Sequence, residues 1–377
     1  MIHAFFSRPY YEWSGYAILL FGFILCLIVQ LRFYRRILVK MSAEKADQQE
    51  RPISILLNVR NEAERIETFL MKLLAQNYSN FEVVVVDDFS ADSTLIILGV
   101  LAKKYPQIKF STLSQENRYS EKMAMNLALK AAKYDWVLFL SPEVQVEDPN
   151  YLKKLNQELN SDSQMLVSYV NYQAVELRFN RLCRVERLEA FWRASLSEIG
   201  SAPFVFQQMN VLFNKQIYFE NSGFKGRMNA HYAGLELVFN AVPKLPVQFS
   251  IHPQTILREN RLTDKAEFSE LIQKHIRLFS SLRLSQTWPV RLGLFAHFVL
   301  WASVAALLLT DPAYWFVFLP VPMILFGVHV VLIKSMLKRL DEKKIFLSSL
   351  LYVFVRPFLY LFHRATIYLQ VQRNKWN

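Results

Sequence analysis

Uncharged apolar runs limit how this chain can fold more than any other feature of its sequence. Three of them occupy residues 16–31, 293–309 and 313–333. A helix needs about 20 apolar residues to cross a hydrocarbon core, so each run is long enough, or nearly so, to span a membrane. We therefore expect transmembrane helices towards both ends of the chain and a polar domain between them.

A fourth apolar run, residues 345–369, contains Arg356 and Pro357 near its centre. An arginine beside a proline is costly in the middle of a bilayer. An amphipathic helix lying in the membrane interface tolerates such a pair, because the charged side chain can reach polar surroundings. We favour the interfacial placement and keep a fourth span as the alternative.

Basic residues predict the orientation of the first span. The ones that follow it are Arg32, Arg35, Arg36 and Lys40. By the positive-inside rule this side is cytoplasmic and the N-terminus faces out. No small-residue cleavage site follows the run, so an anchor is expected and not a cleaved signal peptide. The loop 310–312 carries no Lys or Arg, whereas residues 334–344 contain four Lys and one Arg, which agrees with the same orientation.

These patterns divide the chain into an N-terminal transmembrane anchor (1–40), a cytoplasmic domain (51–288) and C-terminal transmembrane or interfacial helices (289–377). We expect an integral protein of the inner or plasma membrane. The chain has a net charge of +12, and anionic lipid would attract the basic residues beside the spans. The sequence contains no nucleic-acid-binding motif. Nucleic acid is therefore not an expected partner. Cys26 and Cys183 form neither a disulfide framework nor a zinc pattern.

The cytoplasmic domain alternates strand and helix patterns. The strands are predicted in "PISILL", "FEVVVVDD" and "DWVLFL", with helical spacing in the segments between them. This alternation predicts an α/β fold with a mostly parallel sheet flanked by helices. Ligands of such sheets bind beyond the carboxyl ends of the strands. The polar residues there are Asn58, Arg60, Asn61, Glu62, Asp87, Asp88, Ser141 and Glu143.

Four motifs in this order resemble a family of known enzymes. They read P-x-S-x-L-L-x-x-R-N-E from Pro52, V-V-V-D-D-x-S-x-D-S-T from Val84, K-M-A-M-N from Lys122 and W-V-L-F-L from Trp136. The series resembles the family 2 glycosyltransferases, which have the type A nucleotide-sugar fold. The likeness is close from Pro52 to about Asp148 and looser through "MNVLFNKQIYFENSGF", which resembles the acceptor-side segment of that family.

The resemblance implies a nucleotide-binding set, with Asp88 as the first choice for the base and ribose. The other members are Asn58, Arg60, Glu62, Asp87 and Lys122. Each also has a plainer interpretation that stays open. A turn acid can cap the next helix, Asn61 and Glu62 can simply start one, and a lysine on a helix is commonly solvated. Asn126 is expected to be structural.

The metal motif of the family, Asp-x-Asp, is altered in this chain. Ser141 replaces the first aspartate, and Glu143 replaces the second, which binds the metal in the family. Mg²⁺ or Mn²⁺ needs hard oxygen ligands, which Glu143 can supply with a weaker contribution from the Ser141 hydroxyl. A degenerate position that binds no metal is the alternative.

Two further motifs of the family fall on the acceptor side. In "HYAGLELVFNAV" the resemblance places Glu236 on the general base that an inverting transfer requires, unless this glutamate merely faces water. In "QKHIRLFSS" it places Arg277 on the arginine of Gln-x-x-Arg-Trp, where it could pair with a diphosphate or the acceptor. Lys274 then replaces the glutamine and Leu278 the tryptophan. His275 is expected to be an ordinary interface residue.

The sequence therefore predicts a membrane-bound inverting glycosyltransferase of cell-envelope glycan synthesis. It would move a sugar from a nucleotide-diphosphate donor to a lipid-linked or membrane-proximal acceptor, with Mg²⁺ or Mn²⁺. A catalytically degenerate scaffold that binds nucleotide or a partner protein remains as one alternative. A processive synthase of polysaccharide is another, which the small number of predicted spans disfavours.

Overall fold

The computed structural model describes residues 13–34, 50–115, 120–197 and 202–375. Its helices are α1 (Ser14–Phe33), α2 (Ile66–Leu74), α3 (Thr94–Lys104), α4 (Ser120–Ala131), α5 (Tyr151–Glu158), α6 (Arg178–Leu196), α7 (Gln216–Glu220), α8 (Glu236–Phe239), α9 (Lys265–Ser281), α10 (Leu284–Thr310), α11 (Trp315–Phe318), α12 (Pro320–Arg339) and α13 (Phe346–Lys375). Its strands are β1 (Ile53–Val59), β2 (Phe81–Asp87), β3 (Ile108–Thr112), β4 (Trp136–Leu140), β5 (Val144–Gln145), β6 (Met165–Ser168), β7 (Val170–Tyr172), β8 (Val211–Asn214), β9 (Val247–Ser250) and β10 (Leu257–Glu259).

A seven-stranded sheet forms the centre of the α/β domain, in the order β3-β2-β1-β4-β8-β6-β9. The first four strands in this order are parallel, β8 is antiparallel to both neighbours, and β6 and β9 are parallel. The predicted mostly parallel sheet is thus confirmed. The run Val83–Val86 in β2 is wholly buried, as expected of a strand covered on both faces. A small second sheet has the order β5-β10-β7.

Helices cover both faces of the large sheet. One core joins it to α2, α3 and α5, through residues such as Leu70, Leu98 and Leu155. The other core joins the opposite face to α4, α6 and α9 and continues into α12, whose Met336 is buried there. The C-terminal half of α12 is therefore packed into the α/β domain.

The apolar runs form helices that pack on one another. Gly15 of α1 lies against Leu307 of α10, and Gly22 lies against the backbone of Leu300, so the two helices are antiparallel and in close contact. Tyr16 donates a 2.6 Å hydrogen bond to Asp311, which joins their ends away from the α/β domain. Four described helices, at 14–33, 284–310, 312–339 and 346–369, are long and apolar enough to cross a membrane. They indicate membrane association.

The loop between α12 and α13 packs on the α/β domain, at the opposite end of the bundle from Asp311. Its buried Glu342 accepts hydrogen bonds from Arg184 and Arg258, each at 2.5 Å, and from Tyr169 at 2.9 Å. The basic loop and the domain thus lie on the same side, as the charge pattern predicts. Of the residues that predicted the orientation, Arg35, Arg36 and Lys40 lie outside the described part of the chain.

Helix α13 buries several polar side chains and exposes many of its large apolar side chains. The buried polar positions are Ser349, Tyr352, Arg356 and His363. Exposed apolar positions are Leu347, Leu351, Phe354, Phe358, Leu361 and Phe362. The charge of Arg356 is neutralised within the protein, because Arg356 forms an ion pair with the buried Glu186 of α6. An outward apolar face suits lipid contact at the membrane surface, so the interfacial placement remains our prediction.

Glu342 gives a test of how the C-terminal helices are held. Glu342→Ala leaves Arg184 buried without its partner, and breaking a buried ion pair typically costs about 3–5 kcal/mol. We expect the free energy of unfolding to fall by about 3 kcal/mol, measured by thermal and denaturant unfolding in detergent. The control is Lys343→Ala at the next, mostly exposed side chain. Equal effects of the two substitutions would contradict this interpretation.

Candidate functional site

The turns that follow β1 and β2 are joined by hydrogen bonds. Asn61 donates its backbone N–H to Ser90 Oγ at 2.9 Å, and its Oδ1 accepts from the N–H of Ala91 at 2.8 Å. The N–H of Glu62 donates to Thr94 Oγ1 at 2.9 Å. Asn61 adopts a left-handed φ of 55° to make this link, which asparagine tolerates better than most residues. Asn61 therefore has a structural task, and the Glu62 side chain is left for other contacts.

Asp92 caps the first turn of α3. Asp87 and Asp88, at the end of β2, do not. Asp92 Oδ1 accepts from the N–H of Thr94 at 3.0 Å, and its Oδ2 accepts from the N–H of Ala63 at 3.1 Å. The capping interpretation thus applies to Asp92. Asp88 is buried beside it, with its N–H donating to the Val59 carbonyl at 2.8 Å.

Buried acceptor atoms collect where β1 and β2 end. Asp87 Oδ2 accepts from the N–H of Ser90 and from Thr112 Oγ1. Asp87 Oδ1 and Asn58 Oδ1 are also buried but have no hydrogen-bond partner in the described part of the chain. Buried polar atoms of this kind normally bind water or a ligand. Arg60 lies exposed at the same turn, so Asn58, Arg60, Glu62, Asp87 and Asp88 form one polar edge.

Phe89, beside Asp88, was not singled out from the sequence. It has a φ of 56° and its ring is 45% exposed. Strained backbone held by surrounding structure is common at ligand sites. An aromatic ring at this polar edge can cover the flat face of a bound ring, but an isolated Phe in a turn gives no sequence signal for this.

The ends of β2 and β4 lie on either side of β1. Leu57 of β1 is level with Val85 of β2 and with Leu140 of β4. Two strand spacings separate β2 from β4, or about 10 Å. Ser141 and Glu143, directly after β4, therefore face the Asp87–Asp88 edge across the end of β1, as the sequence predicted.

Glu143 lies among both acidic and basic side chains. Its backbone carbonyl accepts from the N–H of Asn260, and its side chain meets Glu259 of β10. Arg65 Nη1 is 4.0 Å from Glu143 Oε1. Burial, followed by the charge of Glu259, raises the pKa of Glu143 to about 7, although Arg261 opposes this.

These residues do not fit a divalent-cation site. The Ser141 hydroxyl accepts from the N–H of Glu143, and the Glu143 carboxyl is shared with Glu259, whose own partner is Arg187. Two guanidinium groups, Arg65 and Arg261, act on the same carboxylate. Among the described residues, no group of three or more His, Cys, Asp or Glu is placed to hold a metal ion.

Glu236, the predicted base, is fully buried at the start of α8 and does not face water. Its Oε2 accepts from the N–H of Gly234 at 3.0 Å, and its Oε1 forms an ion pair with Lys274 Nζ at 2.6 Å. A buried carboxylate needs such a partner to remain ionised. Lys274 thus orients and neutralises Glu236, and the sequence had marked Lys274 only as a departure from a motif.

Gly234 and Gln208 explain how the Glu236 turn is built. Gln208 Oε1 accepts from the N–H of Leu235 at 3.1 Å. A Cβ on Gly234 would lie 2.1 Å from the same oxygen, so a side chain there would displace the Gln208 amide from this hydrogen bond. Gln208 was not identified from the sequence, because it lies 27 residues away from Leu235.

The prediction that Lys122 approaches a nucleotide needs correction. Its ammonium donates to the carbonyls of Arg227 at 2.7 Å and Ala230 at 2.8 Å, with Met228 at 3.4 Å. These acceptors use all three of its N–H groups, so Lys122 holds the segment that leads to Gly234. Asn126 is structural, as expected, since it accepts from the Tyr218 hydroxyl.

A cavity of about 140 Å³ lies next to helices α6 and α9, lined by residues such as Arg187, Phe191 and His275. Glu259 and Arg261 line one part of it, and Lys274 and Gln208 line another. Arg277, one turn after Lys274, stacks on Tyr232 with 5.5 Å from Cζ to the ring centroid. Arg277 therefore lies beside the Glu236 turn, towards the predicted acceptor side.

His275 joins α9 to the C-terminal helix through a buried ion cluster. Its Nδ1 lies 2.6 Å from Glu186 Oε1, and Glu186 also accepts from Arg356, Tyr352 and Tyr360 of α13. Burial alone would raise the pKa of Glu186, but Arg356 and His275 hold it well below its usual range. His275 is an interface residue, as the sequence suggested.

Comparisons with known proteins agree on the class of the domain. Residues 54–222 match the family model described as "Glycosyl transferase family 2". The amylovoran biosynthesis glycosyltransferase AmsB of Erwinia amylovora is 32% identical over 107 residues, which are 28% of this chain and 34% of that protein. A poly-β-1,6-N-acetyl-D-glucosamine synthase of Staphylococcus epidermidis is 29% identical over 116 residues, 31% of this chain and 26% of that protein. The chain thus matches about a third or less of the length of these relatives.

One solved structure supports the fold. The mannosyltransferase PcManGT from Pyrobaculum calidifontis, in complex with GDP-Man and Mn²⁺, superposes with a TM-score of 0.53 at 17% identity. The match covers 88% of this chain and 99% of that chain. This likeness confirms the predicted type A glycosyltransferase-like sheet.

The Lys274–Glu236 pair gives a test of the site. Lys274→Met leaves a fully buried carboxylate without its cation, a change that costs about 3–5 kcal/mol when both groups are buried. Lys274 is partly exposed, so we expect a loss of about 2 kcal/mol in the free energy of unfolding. The double variant Lys274→Met, Glu236→Gln should recover most of this loss. Additive effects in denaturant unfolding would show that the two residues do not interact.

Proposed function

Because residues 54–222 are a glycosyl transferase family 2 domain, we propose that this protein transfers a sugar from a nucleotide-diphosphate donor. The acceptor is a lipid-linked or membrane-proximal glycan of the cell envelope, and the α/β domain works on the cytoplasmic face. The observation that carries the proposal is the arrangement of one edge of the sheet. Buried acceptor atoms of Asn58 and Asp87 face Glu143 across β1. Glu259, which adjoins Glu143, and Lys274, which pairs with Glu236, line the same cavity.

The polar edge at the ends of β1 and β2 binds and orients the nucleotide of the donor. The Asp88 and Asp87 carboxylates and the Asn58 amide oxygen accept hydrogen bonds, which suits the N–H and O–H donors of a base and a ribose. Arg60 and Glu62 border the same edge. The GDP-Man bound by the structural neighbour is an example of this donor class.

The acceptor side supplies the base. An acceptor hydroxyl next to Glu236 loses its proton to that carboxylate while its oxygen attacks the anomeric carbon. The bond from this carbon to the diphosphate breaks, the electron pair leaves with the diphosphate, and the configuration is inverted. Lys274 positions Glu236 for this step, and Arg277 borders the acceptor position.

A membrane-bound acceptor suits the way the site is anchored. Helix α9 carries Lys274 next to the base and also carries His275, which reaches α13 through Glu186. The exposed face of α13 is apolar, so a lipid surface there would lie one helix away from the acceptor side. Two of the relatives are named for amylovoran biosynthesis and for a poly-N-acetylglucosamine synthase, and envelope polysaccharide is proposed here by analogy.

Mg²⁺ or Mn²⁺ is not included in this reaction scheme. Manganese is present in the structural neighbour, where a divalent ion would neutralise the leaving diphosphate. The residues that the family resemblance places at the metal motif, Ser141 and Glu143, are engaged as described above. No step therefore passes through a metal.

Asp88 provides a test of nucleotide binding. Asp88→Ala removes a buried carboxylate from the donor edge, and hydrogen bonds to charged groups contribute about 1.5–3 kcal/mol. We expect affinity for UDP or GDP, measured by calorimetry on the detergent-solubilised chain, to fall about tenfold or more. Asp135→Ala, an exposed acid at the opposite end of β4, is the control. An unchanged dissociation constant for Asp88→Ala would remove this residue from the site.

Glu236 provides a test of the transfer. Glu236→Gln should abolish turnover of nucleotide sugars and leave affinity for UDP or GDP within about twofold, because a base acts on the acceptor and not on the donor. Release of nucleotide from UDP-sugars and GDP-sugars in membranes measures turnover. Parallel loss of nucleotide affinity would disprove the base role. If the wild type binds nucleotide but hydrolyses and transfers no sugar, the scaffold interpretation is favoured.

A further inference from the structure

Two half-exposed arginines occupy the surroundings of Glu143. Arg65 lies at the start of α2, with its Nη1 4.0 Å from Glu143 Oε1 and its Nε 3.9 Å from Glu62 Oε2. Arg261 follows β10, and its Nη2 is 3.2 Å from Glu267 Oε2. Both side chains are 46% exposed. Arg65 comes from the first βα turn and Arg261 from the far half of the domain, so they approach Glu143 from two elements.

The other cations close to the cleft already have firm partners. Arg187 is paired with the buried Glu259, and its Cζ lies 3.6 Å from the centre of the Tyr172 ring. Lys122 donates to three backbone carbonyls. Lys274 is paired with Glu236. The ion pairs of Arg65 are longer, at 3.9 and 4.0 Å, whereas Arg261 has one shorter pair, with Glu267 at 3.2 Å. Because both arginines are 46% exposed and exposed pairs contribute little, a stronger anion can replace these contacts.

We propose that Arg65 and Arg261 bind the diphosphate of the donor and stabilise it as the leaving group, in place of a divalent metal ion. The proposal rests on the proposed transfer function. In the empty site Glu143 is the counter-ion that the two arginines share, beside Glu62 for Arg65 and Glu267 for Arg261. When the donor binds, the guanidinium groups turn from the carboxylates to the diphosphate oxygens, and Glu143 remains with Glu259.

The charge balance of the transfer agrees with this assignment. As the acceptor oxygen bonds to the anomeric carbon, the bond to the diphosphate breaks and its electron pair stays on the leaving oxygen. The proton goes to Glu236, and the added negative charge on the diphosphate meets two guanidinium groups. A guanidinium is always charged and can donate two parallel N–H bonds to phosphate oxygens, which makes Arg suitable where acidic metal ligands are missing.

Nucleotide binding without metal tests the proposal directly. Calorimetry of the full chain with UDP and with GDP is carried out in EDTA and again with added MnCl₂. We expect binding in EDTA, with less than a threefold gain from manganese. Arg65→Gln and Arg261→Gln should each weaken diphosphate binding at least tenfold and have a smaller effect on UMP or GMP. Arg→Lys at either position should restore only part of the affinity.

The Glu143→Gln variant distinguishes this proposal from metal binding, because the two predict opposite changes in nucleotide affinity. Glu143→Gln removes the resting counter-ion and should strengthen UDP or GDP binding in EDTA by about twofold or more. A metal ligand would give the opposite result, with manganese-dependent binding lost in the same variant. Lys103→Ala, an exposed cation at the other end of α3, is the matched control and should change nothing.

The outcomes separate this proposal from the proposed function. Binding that requires manganese and is lost in Glu143→Gln would overturn the arginine proposal and leave the transfer function intact. Wild-type levels of UDP and GDP binding in both arginine variants would overturn it as well. If the wild type binds neither nucleotide under either condition, the donor assignment itself fails.

Discussion

Two buried carboxylates determine how the α/β domain sits against the apolar helices. Glu342 binds Arg184 and Arg258, and Glu186 binds Arg356 and His275. Each carboxylate has several charged or hydroxyl donors, which offsets the cost of burying it. Because these contacts bring α13 and α9 to the same side of α6, the position of Lys274, and with it that of Glu236, depends on them.

The same arrangement links the membrane-facing surface to the proposed acceptor position. On one side of α9, His275 reaches the cluster that holds Arg356. The preceding residue, Lys274, reaches Glu236. A shift of α13 relative to the domain would therefore move α9 and, through Lys274, change the position of Glu236. In this way the polar inner face of α13 serves the site, while its apolar outer face remains available for lipid.

Sequence patterns predicted which polar residues lie at the carboxyl edge of the sheet better than they predicted the contacts of the other candidate residues. Asp87, Asp88 and Asn58 follow predicted strands directly, and parallel strands bring their carboxyl ends to one edge by geometry alone. Lys122 was misjudged because its acceptors come from the Arg227–Ala230 segment, more than 100 residues along the chain. Glu259 gave no local signal, since the short strand β10 pairs it with β5, the segment after β4.

The sequence by itself determined the apolar helices, the alternation of strands and helices, and the polar residues at the strand ends, because periodicity and charge act over short stretches of chain. The tertiary structure alone decided which charges meet. It paired Glu236 with Lys274, surrounded Glu143 with Glu259 and two arginines, and turned Arg356 inwards to Glu186. Ion pairing depends on distance in space and on burial, and neither is encoded in the local spacing of residues.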